Sequence, residues 1–312
     1  MKKSVLWLLP LFLMACNEPV AHQPTASAAS NTVASAHTVA SVSFDIPANA
    51  RTPASETREG LLQQAVYLKQ HIESVIPHAT PEQTDALFEE SAKIMDELLT
   101  KLNQQDEVGA VYSSYFDYNE QTDTSSPKPE LLAKEQPLKA VGLRYQAAGE
   151  GTAFVNMEPN YYLSLFGKRL SPDYYQYLAI RAEENKTPDV MDAGLMISYD
   201  DLGKRLVDWE NYITTYPNSK WYTPAECHVR RIRTFFLLGI DNTPAFKRNG
   251  TPEAETAQAW QNFAQRYPNS PTSAIIQSLQ GKLNKKNMEA EVHKLYPIGE
   301  GYSCDFSDQY GY

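Results

Sequence analysis

Trp209-Glu210-Asn211-Tyr212-Ile213-Thr214-Thr215-Tyr216-Pro217-Asn218-Ser219 recurs 51 residues later as Trp260-Gln261-Asn262-Phe263-Ala264-Gln265-Arg266-Tyr267-Pro268-Asn269-Ser270. Trp, Asn, Tyr, Pro, Asn and Ser coincide at matched positions, and Phe263 answers Tyr212. Trp209, Tyr212 and Tyr216 are spaced by three and then four residues, as are Trp260, Phe263 and Tyr267, so each trio shares one helical face. Such a face buries a large apolar area only against a neighbouring helix. The proline cannot continue the helix, and Asn and Ser suit the turn and the cap that follow. Units that cannot bury their own face stack into arrays. The expected fold is mostly α, a helical-hairpin array of α-solenoid type.

Working outward from the repeat, residues 159–298 read as a helical repeat region. Ser171-Pro172-Asp173, Ser198-Tyr199-Asp200-Asp201, Thr223-Pro224-Ala225-Glu226 and Thr251-Pro252-Glu253 each supply a cap, an acidic first turn, or both. Helices are expected near 160–169, 172–185, 199–215, 224–239, 252–266 and 271–284. Residues 57–118 read as an N-terminal helical hairpin. Leu61, Ala65, Leu68, Ile72 and Val75 form one stripe, which Pro77 stops, and Thr80-Pro81-Glu82-Gln83 has the form of a capping box. A second stripe runs through Leu87, Ser91, Ile94, Met95, Leu98 and Leu102. Residues 119–158 read as irregular, with a loop over 119–137. Alternation at Val141, Leu143 and Tyr145, with a turn at 148–152, suggests a short β-hairpin near 138–158; a broken helix is the alternative.

The start of the chain has a different character. Lys2 and Lys3 precede an apolar run from Val5 to Ala15, too short to span a bilayer, and Leu13-Met14-Ala15-Cys16 closes it. This arrangement resembles the lipobox of bacterial lipoproteins. The resemblance implies that residues 1–15 are a signal peptide, that Cys16 is lipidated and becomes the mature N-terminus, and that Asn17 favours the outer membrane. Residues 16–56 then read as a lipidated flexible tether rich in Ala, Ser, Thr, Val and Pro. About 40 such residues reach roughly 35 Å.

The repeat is similar to tetratricopeptide-like outer-membrane lipoproteins of Gram-negative bacteria, on the strength of Phe263 to Ala274 (FAQRYPNSPTSA), and the likeness covers residues 199–284. It implies a protein-interaction module on the periplasmic side of the outer membrane, with surface display as an alternative. The 51-residue period differs from that family's 34, and its Ala/Gly positions are not evident.

Composition narrows the chemistry. Losing Lys2 and Lys3 takes the net charge from −10 to −12, and no basic cluster exceeds Arg230-Arg231-x-Arg233, so nucleic acid is not an expected partner. The six histidines and three cysteines form no metal-ligand spacing, and no nucleophile elbow or phosphate loop occurs. No cofactor and no metal are expected. Cys227 and Cys304 are candidates for a disulfide in an oxidising compartment, against two thiols too distant to bridge. The 19 tyrosines are conspicuous. Tyr161, Tyr162, Phe166, Tyr174, Tyr175 and Tyr177 are the candidate interaction surface; core packing is the plainer reading. Residues 299–312 read as a C-terminal tail. The expected partners are the membrane through the N-terminal lipid, an envelope protein, and peptidoglycan. A non-catalytic scaffold is the leading function. The alternatives are a glycan-acting envelope enzyme, with Glu158, Asp200 and Asp201 as its carboxylates, and a toxin-neutralising lipoprotein.

Overall fold

The computed structural model describes residues 56–122, 124–279, 281 and 286–297. Cys16, the signal peptide, the tether and the tail with Cys304 lie outside the described residues. Among the described residues no helix is long and apolar enough to cross a membrane.

The protein is mostly α-helical. Helix α1 (Arg58–Val75) is capped by Thr57, whose Oγ1 accepts from the Gly60 amide at 3.1 Å. A single 3₁₀ turn at Ile76–His78 holds Pro77, and α2 (Pro81–Gln104) follows. The capping box is formed in full: Gln83 N donates to Thr80 Oγ1 at 3.3 Å, and Thr80 N donates to Gln83 Oε1 at 2.9 Å. Both helices bury the stripes that their spacing marks, from Leu61 to Ile72 and from Leu87 to Leu102.

The expected loop over 119–137 is corrected. A hairpin of β1 (Phe116–Asn119) and β2 (Thr124–Pro127) leads into α3 (Pro129–Ala140). This helix starts on Pro129, which suits a first turn, and carries Pro137 within it. Only Leu131 and Leu138 are buried, so no stripe announces it. The short hairpin suggested beyond it is formed by β3 (Leu143–Gly149) and β4 (Thr152–Met157), which pair antiparallel with Leu143 opposite Met157. Its turn needs the left-handed region: φ is +90° at Gly149, +48° at Glu150 and +78° at Gly151.

Seven helices complete the described chain: α4 (Tyr161–Phe166), α5 (Pro172–Glu184), α6 (Tyr199–Thr215), α7 (Tyr222–Leu238), α8 (Ala254–Arg266), α9 (Pro271–Leu279) and α10 (Met288–Leu295). Two small hairpins are interposed: β5 (Val190–Met191) with β6 (Gly194–Leu195), and β7 (Gly239–Ile240) with β8 (Thr243–Pro244). Each precedes a tryptophan-bearing helix of the repeat. The hairpins also bond to each other, since Asn242 N donates to the Ala193 carbonyl at 2.8 Å and Leu195 N donates to Thr243 Oγ1 at 3.0 Å.

The two repeat copies share their backbone geometry. Helix α6 ends on Tyr216 at φ −123°, ψ 60°, and α8 ends on Tyr267 at φ −126°, ψ 59°. In both turns the serine amide returns to the tyrosine carbonyl, at 3.1 Å for Ser219 and 3.0 Å for Ser270. Ser219 Oγ and Ser270 Oγ then accept from the amide two residues on, each at 3.1 Å. Trp209, Tyr212, Trp260 and Phe263 are buried, while Tyr216 and Tyr267 are half-buried at the rim. The tryptophans reach back to the preceding helical layer: Trp209 Nε1 donates to Glu184 at 2.6 Å, and Trp260 Nε1 to the Phe236 carbonyl at 2.9 Å. One hydrophobic core runs from Leu61 on α1 to Val292 on α10.

Candidate functional site

The aromatic set singled out as an interaction surface lies inside the core, a correction to that expectation. Tyr161, Tyr162, Phe166, Tyr174 and Tyr177 are all under 9% exposed, and Tyr175 is half-buried. Phe88 of α2 is the centre of the cluster. Its ring meets Tyr162 at 5.1 Å, Phe166 at 5.7 Å and Tyr174 at 6.2 Å, each edge-on, the arrangement that aromatic quadrupoles prefer. Trp221, the N-cap residue of α7, closes the cluster, stacked on Tyr177 at 4.6 Å. Of these hydroxyls Tyr174 bonds Glu89, and outside the set Tyr212 shares a 2.9 Å bond with Ser219.

Beside this cluster α5, α6 and α7 enclose a polar cleft of about 190 Å³ lined by Gln146, Arg181, Glu184, Asn185, Pro188, Asp189, Arg205 and Arg231. Each helix contributes one arginine. Arg181 Nη1 pairs with Glu184 Oε2 at 3.1 Å, and Arg231 Nη1 pairs with Asp189 Oδ2 at 2.7 Å. Arg205 Nη2 donates to the Thr187 carbonyl at 2.8 Å. Glu184 sits in the wall, only 5% exposed. Burial pushes its carboxyl above the usual carboxylate range, opposed by the Arg181 charge and the Trp209 N–H. The chemistry on offer is donation to a bound acceptor by guanidinium groups, because both carboxylates of the cleft are engaged by arginines.

Glu158, Asp200 and Asp201, the imagined carboxylate set, are not brought together as one. Glu158 lines a separate small pocket with Phe88 and Tyr162, while Asp200 and Asp201 are exposed in the first turn of α6, where Asp201 N bonds Ser198 Oγ at 3.1 Å. Among the described residues no group of three or more His, Cys, Asp or Glu could hold a metal ion. Cys227 is half-buried on α7, one position before the buried His228.

His228 lies 4% exposed with its ring parallel to Trp209, 4.4 Å between centroids and 6° apart in plane. Burial holds its pKa well below 6.5, and the Arg181 and Arg231 charges add to that effect. The folded state therefore binds fewer protons at this site than the unfolded state once pH falls below 6.5. Stability contributed here is present above that pH and is lost as pH falls. One unit below, the loss is about 1.4 kcal/mol. Urea unfolding at pH 7.5 and 5.5 should show this loss in the wild type, and His228→Phe should lack it. Equal losses in both proteins would assign the acid limb to other groups. Glu184 works in the opposite sense, since its raised pKa adds stability below the unfolded carboxyl value of 4.5 that is lost as pH rises.

No family model, curated protein or solved structure matches this chain. The function is therefore argued from its own residues. The arginine cleft leaves little trace in the sequence. Its only signals were Arg231 inside Arg230-Arg231-x-Arg233 and single arginines on two other helices.

Proposed function

We propose that this chain is a lipid-anchored, non-catalytic interaction module of a bacterial cell envelope, held at Cys16 and facing the periplasm from the outer membrane. The observation that carries the reading is the pair of matched helix–turn units built around buried Trp209 and Trp260, the kind of unit from which repeat arrays are made. Arrays of this kind present extended surfaces to protein partners. The net charge of −10 disfavours a nucleic-acid partner. An oxidising compartment would let Cys227 pair with Cys304. Peptidoglycan is a further partner compatible with this location.

Two measurements on intact cells test the reading. Crosslinking with mass spectrometry should recover a specific envelope protein. Labelling with a fatty-acid analogue should mark the wild type, whereas Cys16→Ala should lose the label and leave the membrane fraction. A Cys16→Ala protein that keeps the label and stays in the membrane fraction would count against the anchor, and a wild type that crosslinks to no specific protein would count against the module.

A further inference from the structure

We propose that the cleft between α5, α6 and α7 binds a small carboxylic acid bearing an amide or hydroxyl beside its carboxylate. Charge is the first argument. Among the described residues that line the partly desolvated cleft, three arginines face two carboxylates, Glu184 and Asp189, an excess of one positive charge. Arg205 is the origin of that surplus. Among the described residues no carboxylate lies within ion-pair distance of it, and Glu183, whose acidity it influences, pairs instead with Lys186. A monocarboxylate restores neutrality; a phosphate dianion would leave a negative charge against Glu184 and Asp189.

Geometry is the second argument. The guanidinium fork matches a carboxylate with two parallel donors. The carboxamides of Gln146 and Asn185 line the same cleft and can meet an adjacent amide or hydroxyl. The cleft's volume of about 190 Å³ is far above the roughly 10–15 Å³ that admits one water. Arg181 and Asn185 also border a second pocket of about 20 Å³, walled by Phe88, Tyr162, Tyr177 and Trp221. That separate apolar pocket, which shares Arg181 and Asn185 with the cleft, has room for a group about the size of a methyl. The chemical class is thus a short α-substituted acid with a small apolar side chain. This site goes beyond the protein-partner reading and stands apart from it, since calorimetry reads the cleft and crosslinking reads the partner.

The test is isothermal titration of the purified full chain at constant ionic strength. The probes are N-acetyl-alanine, lactate, N-acetyl-alanine amide and inorganic phosphate. At least one acid should bind one-to-one with saturable heat, and the amide, lacking the carboxylate, should bind at least tenfold more weakly. Arg205→Gln should weaken the acid by roughly tenfold or more while its thermal unfolding stays that of the wild type, and Arg205→Lys should recover part of the loss. The proposal is overturned if neither acid gives saturable heat, if the amide binds as tightly as the acid, if phosphate binds more tightly than both acids, or if folded Arg205→Gln keeps full affinity. The amide comparison decides without any variant, so a failure of Arg205→Gln to fold leaves the test intact.

Discussion

Glu210→Ala is expected to cost about 3–5 kcal/mol of stability in urea unfolding. Glu210 is 3% exposed on α6. Its Oε1 accepts from Arg233 Nη2 at 2.8 Å and from Thr272 Oγ1 at 2.6 Å, and its Oε2 accepts from Ser270 Oγ. Arg233 Nε donates in turn to Thr272 Oγ1 at 2.8 Å. One carboxylate therefore ties α6 to α7 and to the start of α9. Removing it leaves a guanidinium only 16% exposed without its counter-charge. That stranded charge, rather than the loss of a favourable pair, is the source of the cost. Adding Arg233→Met to Glu210→Ala should therefore recover much of the loss, because an apolar replacement of both partners is close to neutral. A loss below about 1 kcal/mol for Glu210→Ala would mean that water reaches Arg233 and solvates it.

The matched position in the second copy shows what this clamp is for. Gln261 aligns with Glu210 but is exposed on α8. The serine of each turn finds a carboxylate on an earlier helix, Ser219 from Asp173 at 2.7 Å and Ser270 from Glu210. The carboxylate is thus used where a following unit docks, and the position turns polar and uncharged where the described chain presents none.

What could be read from the sequence follows from the range of each interaction. The Thr80–Gln83 box and the Trp209 and Trp260 faces depend on spacings of three and four residues, which a single helix records in its own sequence. The hairpin at 143–157 was legible because Gly149-Glu150-Gly151 marks the left-handed turn. Helix α3 was not, because Pro137 reads as a breaker and the two buried leucines make no stripe. The tyrosines misled for a related reason. Helical spacing places Tyr174 and Tyr177 on a face, but only the packing of Phe88 and Trp221 against them decides that the face is inside. The arginine cleft was invisible because Arg181, Arg205 and Arg231 sit on three helices whose approach is a property of the fold. Even Arg231 and Arg233, two residues apart, go to different acids, Asp189 and Glu210.

Trp209→Ala is the second large effect, about 3–5 kcal/mol from the cavity it opens. The indole is fully buried, with its ring on His228, an edge to Tyr177 at 5.3 Å, and its N–H on Glu184. Trp260→Ala removes an equally buried ring whose N–H serves only the neutral Phe236 carbonyl. The volume lost is the same, so the two variants separate on electrostatics. Without the Trp209 N–H, the Glu184 carboxylate keeps Arg181 alone, and a hydrogen bond to a charged group is worth about 1.5–3 kcal/mol against about 1 for a neutral acceptor. Trp209→Ala should accordingly be the more damaging change at neutral pH. It should also alter the pH response, because water entering the cavity relieves the burial that depresses His228. The acid-side loss below pH 6.5 should shrink in Trp209→Ala and persist in Trp260→Ala. Unfolding both variants in urea at pH 7.5 and 5.5 measures the two effects together. Identical pH responses would show that the His228 ring stays dry without its stacking partner and that Trp209 acts through volume alone.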